Sequence, residues 1–333
     1  MPRGGRLRSP SNSIPINSRE LLELVIRADR SLNSGVPAWL MEQQHQVARR
    51  TKSLYVELGS AETSPLGTIS PRQFLIGNPF KALERLVITR AYGGELYPEG
   101  LSLGNEGRDL DDADYSVSLD FDLVEASSLR TLIVEGIELS GGKKDPFHVE
   151  TLSLSYAAME WRLFASLLHG STELRSLKLH HSRIDDAPPH WSLTLPWLRT
   201  LSIHTTHLRD LAKFLGNIRT FNLCNLDIQV QSVSPRDYGA LSRALHALLL
   251  SNDLMKLTIG GHFAFIIDVL KILVDGGIHR LEELDIDSER RWPSDEIWRV
   301  HLKDAQDLIH QLVQKGSGTP LLKLPDVMTQ RVE

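Results

Sequence analysis

Leu129-Arg-Thr-Leu132-Ile-Val134 is followed by Leu174-Arg-Ser-Leu177-Lys-Leu179 and Leu198-Arg-Thr-Leu201-Ser-Ile203. Each stretch reads apolar-x-x-apolar-x-apolar. The spacing recurs at Leu83-x-x-Leu86-x-Ile88, Val149-x-x-Leu152-x-Leu154, Ile218-x-x-Phe221-x-Leu223, Leu254-x-x-Leu257-x-Ile259 and Leu281-x-x-Leu284-x-Ile286. Leucine is common here, 55 of 333 residues, so one match means little, but eight ordered copies mean a repeat. With the central apolar residue as ruler, the steps from Leu132 are 20, 25, 24, 20, 36 and 27 residues. Five of the six lie in the period of about 20–29 residues typical of one strand plus its return arm. Leu21-x-x-Leu24-x-Ile26 also fits, although its spacing equally suits a helix. Leu54-x-Val56 is a weaker trace.

Strand alternation explains the last three positions, since residues two apart point to one face. The leading apolar residue lies where the chain enters the strand. One such strand cannot bury its face alone, so stacked copies are expected to form a parallel sheet over one apolar core. Parallel neighbours need a long return connection, here a helix or an irregular arm. Trp161, Phe164, Leu167 and Leu168 make one helical stripe, and Phe265, Ile266, Val269, Leu270 and Leu273 make another. Ser234-Pro235-Arg236-Asp237 reads as a helix start, with Tyr238, Leu241, Leu245, Leu248 and Leu249 as its core stripe. A closing helix is expected over about 294–315, with Ile297, Leu302, Ile309 and Leu312 partly inward and Leu321-Leu322-x-Leu324 packing after it. Leu86 and Leu132 stand 46 residues apart, so an insertion is expected over about 91–125. It carries the acidic stretch Glu106-Gly-Arg-Asp109-Leu-Asp111-Asp112-Ala-Asp114, and Val117, Leu119 and Phe121 suggest an extra strand.

Composition sets the outer bounds. Hydrophobic residues are 41% and charged residues 24%, which suits a folded chain. The net charge of −5 and the lack of a basic stripe with aromatics argue against nucleic acid as partner. Cys224 is the one cysteine, so an intramolecular disulfide and a Cys-rich zinc module are excluded. No run of 18 apolar residues spans a membrane. Residues 1–18 read as a basic, disordered tail with Arg3, Arg6 and Arg8, and 326–333 as a second tail. The Arg/Ser mixture of the first tail is similar to a mitochondrial presequence, but Pro2, Gly4, Gly5, Pro10 and Pro15 spoil the helix that signal needs. A cytoplasmic or nuclear location is expected.

The copies resemble leucine-rich repeats of the ribonuclease-inhibitor-like superfamily, and their irregular lengths are similar to the repeat half of fungal F-box proteins. The resemblance covers about residues 19–325. It implies an α/β fold: an irregular horseshoe solenoid, with a parallel sheet on the concave side and helices or irregular arms on the convex side. It also implies non-enzymatic protein recognition, extending to substrate recognition for an SCF-type ubiquitin ligase through a Skp-type adaptor. The family's Asn or Cys ladder position reads Ile137, Ala157, Ser182, Thr206, Leu226 and His262, so the hydrogen-bonded ladder is missing. No F-box is legible before the first firm copy at Leu83. Leu324-Pro325-Asp326-Val327-Met328 reads as a terminal turn. The chain is thus expected to be a repeat-only paralogue or the repeat part of a longer protein.

Chemical motifs are fragmentary. Gly100-Leu-Ser102-Leu-Gly104 has the nucleophile-elbow spacing, but Pro98 precedes it and an acidic loop follows, which is the wrong context. Gly136 and Gly141 have P-loop spacing, but Gly142 replaces the lysine. Asp112-x-Asp114-x-Ser116 starts like a calcium loop, but Val117 replaces its glycine and Leu123 its final Glu. His204-Thr-Thr-His207 lacks zincin spacing and the Glu. No cofactor or metal is expected, and the rival reading is a hydrolase or metal-dependent enzyme with its site on the repeat loops.

The residues after each strand form an expected outward column, Ser155, His180, His204 and Cys224. Its three potential ligands, His180, His204 and Cys224, stand in a line with ends ~10 Å apart, which suits a tetrahedral metal poorly. Short polar residues dominate the rest of this face: Thr131, Thr151, Ser153, Ser176, Thr200, Ser202, Thr220 and Asn222, with Ile133 and Lys178 as exceptions. Its last rung, Glu283, Asp285 and Asp287, is acidic and could receive a basic segment. Lys178, His180, Ser202, His204, Asn222, Cys224, Glu283, Asp285 and Asp287 are therefore the expected partner-binding residues, joined by the 101–122 loop.

Overall fold

The structure, a computed structural model, describes residues 22–26, 38–58, 70–90, 117–142, 148–171, 173–185, 188, 190–232, 238–261, 263–276, 281–287, 296–315 and 321–323. Both tails, the Gly100–Gly104 motif, the acidic stretch 106–114, the calcium-like start at Asp112 and the helix start at Ser234 lie outside the described residues.

The first elements are β1 (Leu22–Ile26), α1 (Ala38–Arg50), β2 (Thr51–Leu58), α2 (Pro71–Ile76), β3 (Arg85–Arg90), β4 (Ser118–Asp120), β5 (Thr131–Glu135), β6 (Glu138–Ser140), β7 (Thr151–Ser155), β8 (Ala158–Glu160) and α3 (Trp161–Gly170). There follow β9 (Ser176–His180), β10 (Arg183–Asp185), β11 (Leu193–Leu195), β12 (Thr200–His207), α4 (Leu208–Asn217), β13 (Ile218–Thr220) and β14 (Asn225–Ser232). The chain continues through α5 (Tyr238–Leu250), β15 (Lys256–Gly261), α6 (Phe263–Gly276), β16 (Glu283–Asp287), α7 (Glu296–Lys315) and β17 (Leu321–Lys323).

Eleven strands make one open sheet, in the order β1-β2-β3-β5-β7-β9-β12-β14-β15-β16-β17. Every pair in it is parallel. The central apolar residue of each copy pairs with that of the next. Leu24, Leu54, Leu86, Leu132, Leu152, Leu177, Leu201, Leu226, Leu257, Leu284 and Leu322 stand in one unbroken row. From Leu54 to Leu284 these leucines are buried. So are the lead residues Leu83, Leu129, Val149, Leu174, Leu198 and Leu254. Each fully buried leucine stabilises the fold by roughly 1.5–3 kcal/mol relative to exposure, so this row is the main cohesive term.

After β5, β7 and β9 the chain turns a corner at Gly136, Tyr156 and His181, whose φ values are 68°, 49° and 48°. A left-handed residue redirects the strand while its N–H stays in the ladder. Gly136 donates to the Ser155 carbonyl, Tyr156 to His180 and His181 to His204. The two side chains held there stack as rings with centroids 5.1 Å apart. Beyond the corner lies a second parallel sheet, β10-β8-β6-β4. The extra strand expected around Leu119 is β4 of this second sheet, with Val117, Leu119 and Phe121 buried. At the other end α4 packs on α5, α5 on α6 and α6 on α7.

One rung differs from the expectation. Ile218-x-x-Phe221-x-Leu223 is not a strand of the long sheet. Ile218–Thr220 forms β13, which pairs only with β11 in a two-stranded sheet, and Phe221 is 60% exposed. The true rung is Leu223-x-x-Leu226-x-Ile228, with Leu223 buried in the lead position and Leu226 and Ile228 facing the core. The physical reason is the preceding helix. α4 ends at Asn217, and the chain first pairs β13 against β11 before turning into β14. The steps around it become 25 and 31 residues.

Candidate functional site

Because core residues alternate with outward ones, every strand of the long sheet carries residues on its opposite face. The middle outward row is continuous from end to end: Val25, Tyr55, Val87, Ile133, Ser153, Lys178, Ser202, Asp227, Thr258, Asp285 and Lys323. It has two halves. The first four residues are apolar or aromatic, with Val25 58% exposed and Tyr55, Val87 and Ile133 partly exposed. The rest are polar or charged. The Tyr55 hydroxyl is tied to Thr89 Oγ1 at 2.9 Å on the neighbouring strand, which fixes its ring over the row. Beside the row, burial raises the Glu135 carboxyl above its ordinary value.

Of the expected residues, Lys178, His180, Ser202 and His204 do lie together on this face, on β9 and β12. The Asn222 and Cys224 assignments are corrected by the register. Both precede β14, where Asn222 Nδ2 donates to the Pro196 carbonyl at 2.6 Å and Cys224 Sγ donates to the Asn222 carbonyl at 3.3 Å. Thr220 likewise leaves the face and is buried in β13, receiving Asn252 Nδ2 at 3.1 Å. Their places on the face go to Asn225, Asp227 and Gln229. Glu283, Asp285 and Asp287 pair with Lys256, Thr258 and Gly260 of β15. Glu283 Oε1 already accepts from Lys256 Nζ at 3.0 Å and Lys323 Nζ at 2.6 Å, bonds that hold its carboxyl below the ordinary value. The acidic end therefore carries its own basic partners.

Asp227, brought in by the corrected register, completes a polar cluster. The His180 and His204 rings stack with centroids 3.8 Å apart and planes within 3°. Ser202 Oγ lies 2.7 Å from His180 Nε2 and donates to Asp227 Oδ2 at 2.7 Å. His204 Nε2 meets the same Oδ2 at 2.9 Å and Ser202 Oγ at 3.5 Å. Ser202 is buried, 4% exposed, while the other three are partly exposed. Burial first, then the neighbouring charge of His204, pushes His180 down to about 4, so its imidazole is neutral at pH 7. Burial pushes the Asp227 carboxyl up, but hydrogen bonds from His204 and Ser202 outweigh it and hold the carboxyl below its ordinary value. Asp227 Oδ1 is buried and meets no donor among the described residues. One ligand atom from each of His180, His204 and Asp227 lies within 4.8 Å of the others. A linear column was the objection to metal in the sequence. Asp227 stands one row over, so these three atoms form a triangle instead.

Two signals in the sequence point to what that reading missed. Leu223-x-x-Leu226-x-Ile228 has the repeat spacing and repeats Leu198-x-x-Leu201-x-Ile203 at an offset of 25. Val25, Tyr55 and Val87 occupy the same x position as Ile133. Among the described residues no helix is long and apolar enough to cross a membrane. Compared with known proteins, the chain matches no family model and no curated sequence.

Proposed function

We propose that this chain is a non-enzymatic recognition protein, an irregular leucine-rich-repeat solenoid of the ribonuclease-inhibitor-like kind, that grips a partner protein on the concave face of its long sheet. The observation that carries the proposal is the row Val25-Tyr55-Val87-Ile133 on an outward sheet face. With strands ~4.8 Å apart, it lays about 14 Å of apolar surface across four strands. Contiguous apolar surface rimmed by polar groups marks sites of protein contact, and tyrosine is enriched among residues that dominate such contacts. A hydrolase finds less support on this face. Ser202 is 4% exposed and its hydroxyl proton is directed at Asp227 Oδ2 rather than at His180 Nε2, 2.7 Å away, so its oxygen is neither open to substrate nor paired for attack.

The resemblance to fungal F-box proteins narrows the proposal to substrate recognition for an SCF-type ubiquitin ligase. Two experiments separate the layers. Quantitative co-purification with the wild-type chain, a Val87→Asp/Ile133→Asp variant and a Thr258→Asp control tests the surface. The proposal expects partners that the first variant loses and the control keeps, and identical partner sets would refute it. Binding of the full-length protein to a purified Skp-type adaptor tests the ligase role, which fails if no complex forms.

A further inference from the structure

We propose that His180, His204 and Asp227 form a binding site for a divalent transition metal of the zinc class, on the open face of the long sheet. This goes beyond partner recognition and does not depend on it. The three side chains project from three adjacent strands in register, β9, β12 and β14, so the backbone ladder sets their separation. Their ligand atoms lie within 4.8 Å of one another. In a zinc tetrahedron with bonds of about 2.0–2.1 Å, ligand atoms stand roughly 3.3–3.5 Å apart. The 2.9 Å His204–Asp227 contact therefore opens by a few tenths of an ångström, well within side-chain freedom.

The stacked imidazoles must also move. Parallel rings 3.8 Å apart hold their Nε2 atoms in parallel planes, so binding splays the stack until both point at one centre. At present Ser202 Oγ bridges the group, 2.7 Å from both His180 Nε2 and Asp227 Oδ2. The metal takes over that bridging role, and each ring then carries its proton on Nδ1 instead of on Nε2. Two imidazoles and one carboxylate are a zinc-type donor set, while calcium and magnesium prefer oxygen alone. Three protein ligands leave a fourth position, and it faces solvent, since the His204 and Asp227 side chains remain 17% and 31% exposed. Asp227 supplies the independent sign: its Oδ1 is buried without a donor, a condition that costs free energy and that a neighbouring cation relieves.

The test is titration of the full-length, chelator-stripped protein with Zn²⁺ by calorimetry, and with Co²⁺ by visible absorption. One equivalent per chain and the ligand-field bands of four-coordinate Co²⁺ are expected. His180→Gln, His204→Gln and Asp227→Asn should each weaken binding by at least the roughly tenfold to hundredfold that loss of even a supporting group costs. Cys224→Ser and His190→Gln should leave it unchanged, and Ser202→Ala should retain it, because the hydroxyl is not a ligand. Circular dichroism confirms that each variant is folded. Should Asp227→Asn fail to fold, the two histidine variants decide. Absence of one-equivalent binding overturns the site, as does binding that survives both histidine changes or that falls equally with Cys224→Ser.

Discussion

Truncating Leu226 and Phe221 to alanine in separate variants asks which of two overlapping frames builds the rung between β12 and β15. Leu226 is 1% exposed and stands between Leu201 and Leu257 in the core row. Its loss of three carbon groups costs about 2.4 kcal/mol of transfer free energy at ~0.8 kcal/mol each. The cavity between two fixed strands adds to this, for a total of about 3–4 kcal/mol. Phe221 is 60% exposed, and its truncation should stay within about 0.5 kcal/mol. Had Phe221 been the central residue of the rung, it would be the costly one, at roughly 3–5 kcal/mol. Urea unfolding followed by circular dichroism, at fixed slope, measures both. Ile228→Val gives a gentler core point, near 1 kcal/mol, should Leu226→Ala prevent folding. A Phe221→Ala variant as destabilised as Leu226→Ala, or more so, would refute the register and with it the place of Asp227 on the open face.

Acid should weaken the fold through His180, which titrates at about 4 when folded against 6.5 unfolded. The unfolded chain binds the extra proton between those values, so the contribution is intact above pH 6.5 and drains as pH falls towards 4. Between pH 7 and 5 it amounts to about 2 kcal/mol unscreened and roughly half that after solvent screening. His180→Asn should flatten this part of the profile in chelator-treated protein, and an equal loss in both proteins would count against it. Gly261→Ala should be severe, about 3 kcal/mol or more. Its φ is +100° and a Cβ would lie 1.9 Å from the Val230 carbonyl oxygen, so thermal melting that is unchanged would contradict the β14–β15 approach. Ser70→Ala removes the capping box of α2, in which Ser70 and Gln73 bond reciprocally, and should cost about 1 kcal/mol by urea unfolding.

The parallel sheet was legible because its cause is local: a leucine every second residue, with a third at the lead position, declares both face and direction. Legibility failed where two frames overlap. Ile218-Arg-Thr-Phe221 mimics Leu198-Arg-Thr-Leu201, and no single-rung pattern decides between Phe221 and Leu226. The choice is made by pairing of β13 with β11, a contact between segments 25 residues apart. That one error moved Cys224 into the histidine column and hid Asp227. The second sheet was illegible for a different reason. Tyr156 and His181 adopt left-handed corners that sequence normally signals with glycine, and only Gly136 among the three does so. The apolar row escaped because Val25 and Tyr55 belong to the faintest copies: the spacing around Val25 equally suits a helix, and Leu54-x-Val56 is only a partial match.

The composition of the outward face argues against a merely solvated surface. Parallel sheets are ordinarily covered on both faces, and a face left to water must be made acceptable to it. From Thr131 through Thr151, Ser176 and Thr200 the partly exposed outward residues do this with short hydroxyls. At the far end Lys256 and Lys323 bracket Glu283 and neutralise charge within the chain. Exposed ion pairs of that kind contribute little to stability, and a partner would have to break them to use them. Apart from the Tyr55 hydroxyl held by Thr89, the apolar row has no such internal use: its leucine neighbours on the same strands already fill the core, and its own side chains point the other way. Exchanging Val87 and Ile133 for threonine would keep the strand propensity and remove only the exposed methyl surface. On the proposed recognition role the apolar contact surface is concentrated over β1, β2, β3 and β5, so a Val87→Thr/Ile133→Thr variant should keep the melting temperature of the wild type and lose the proposed partner.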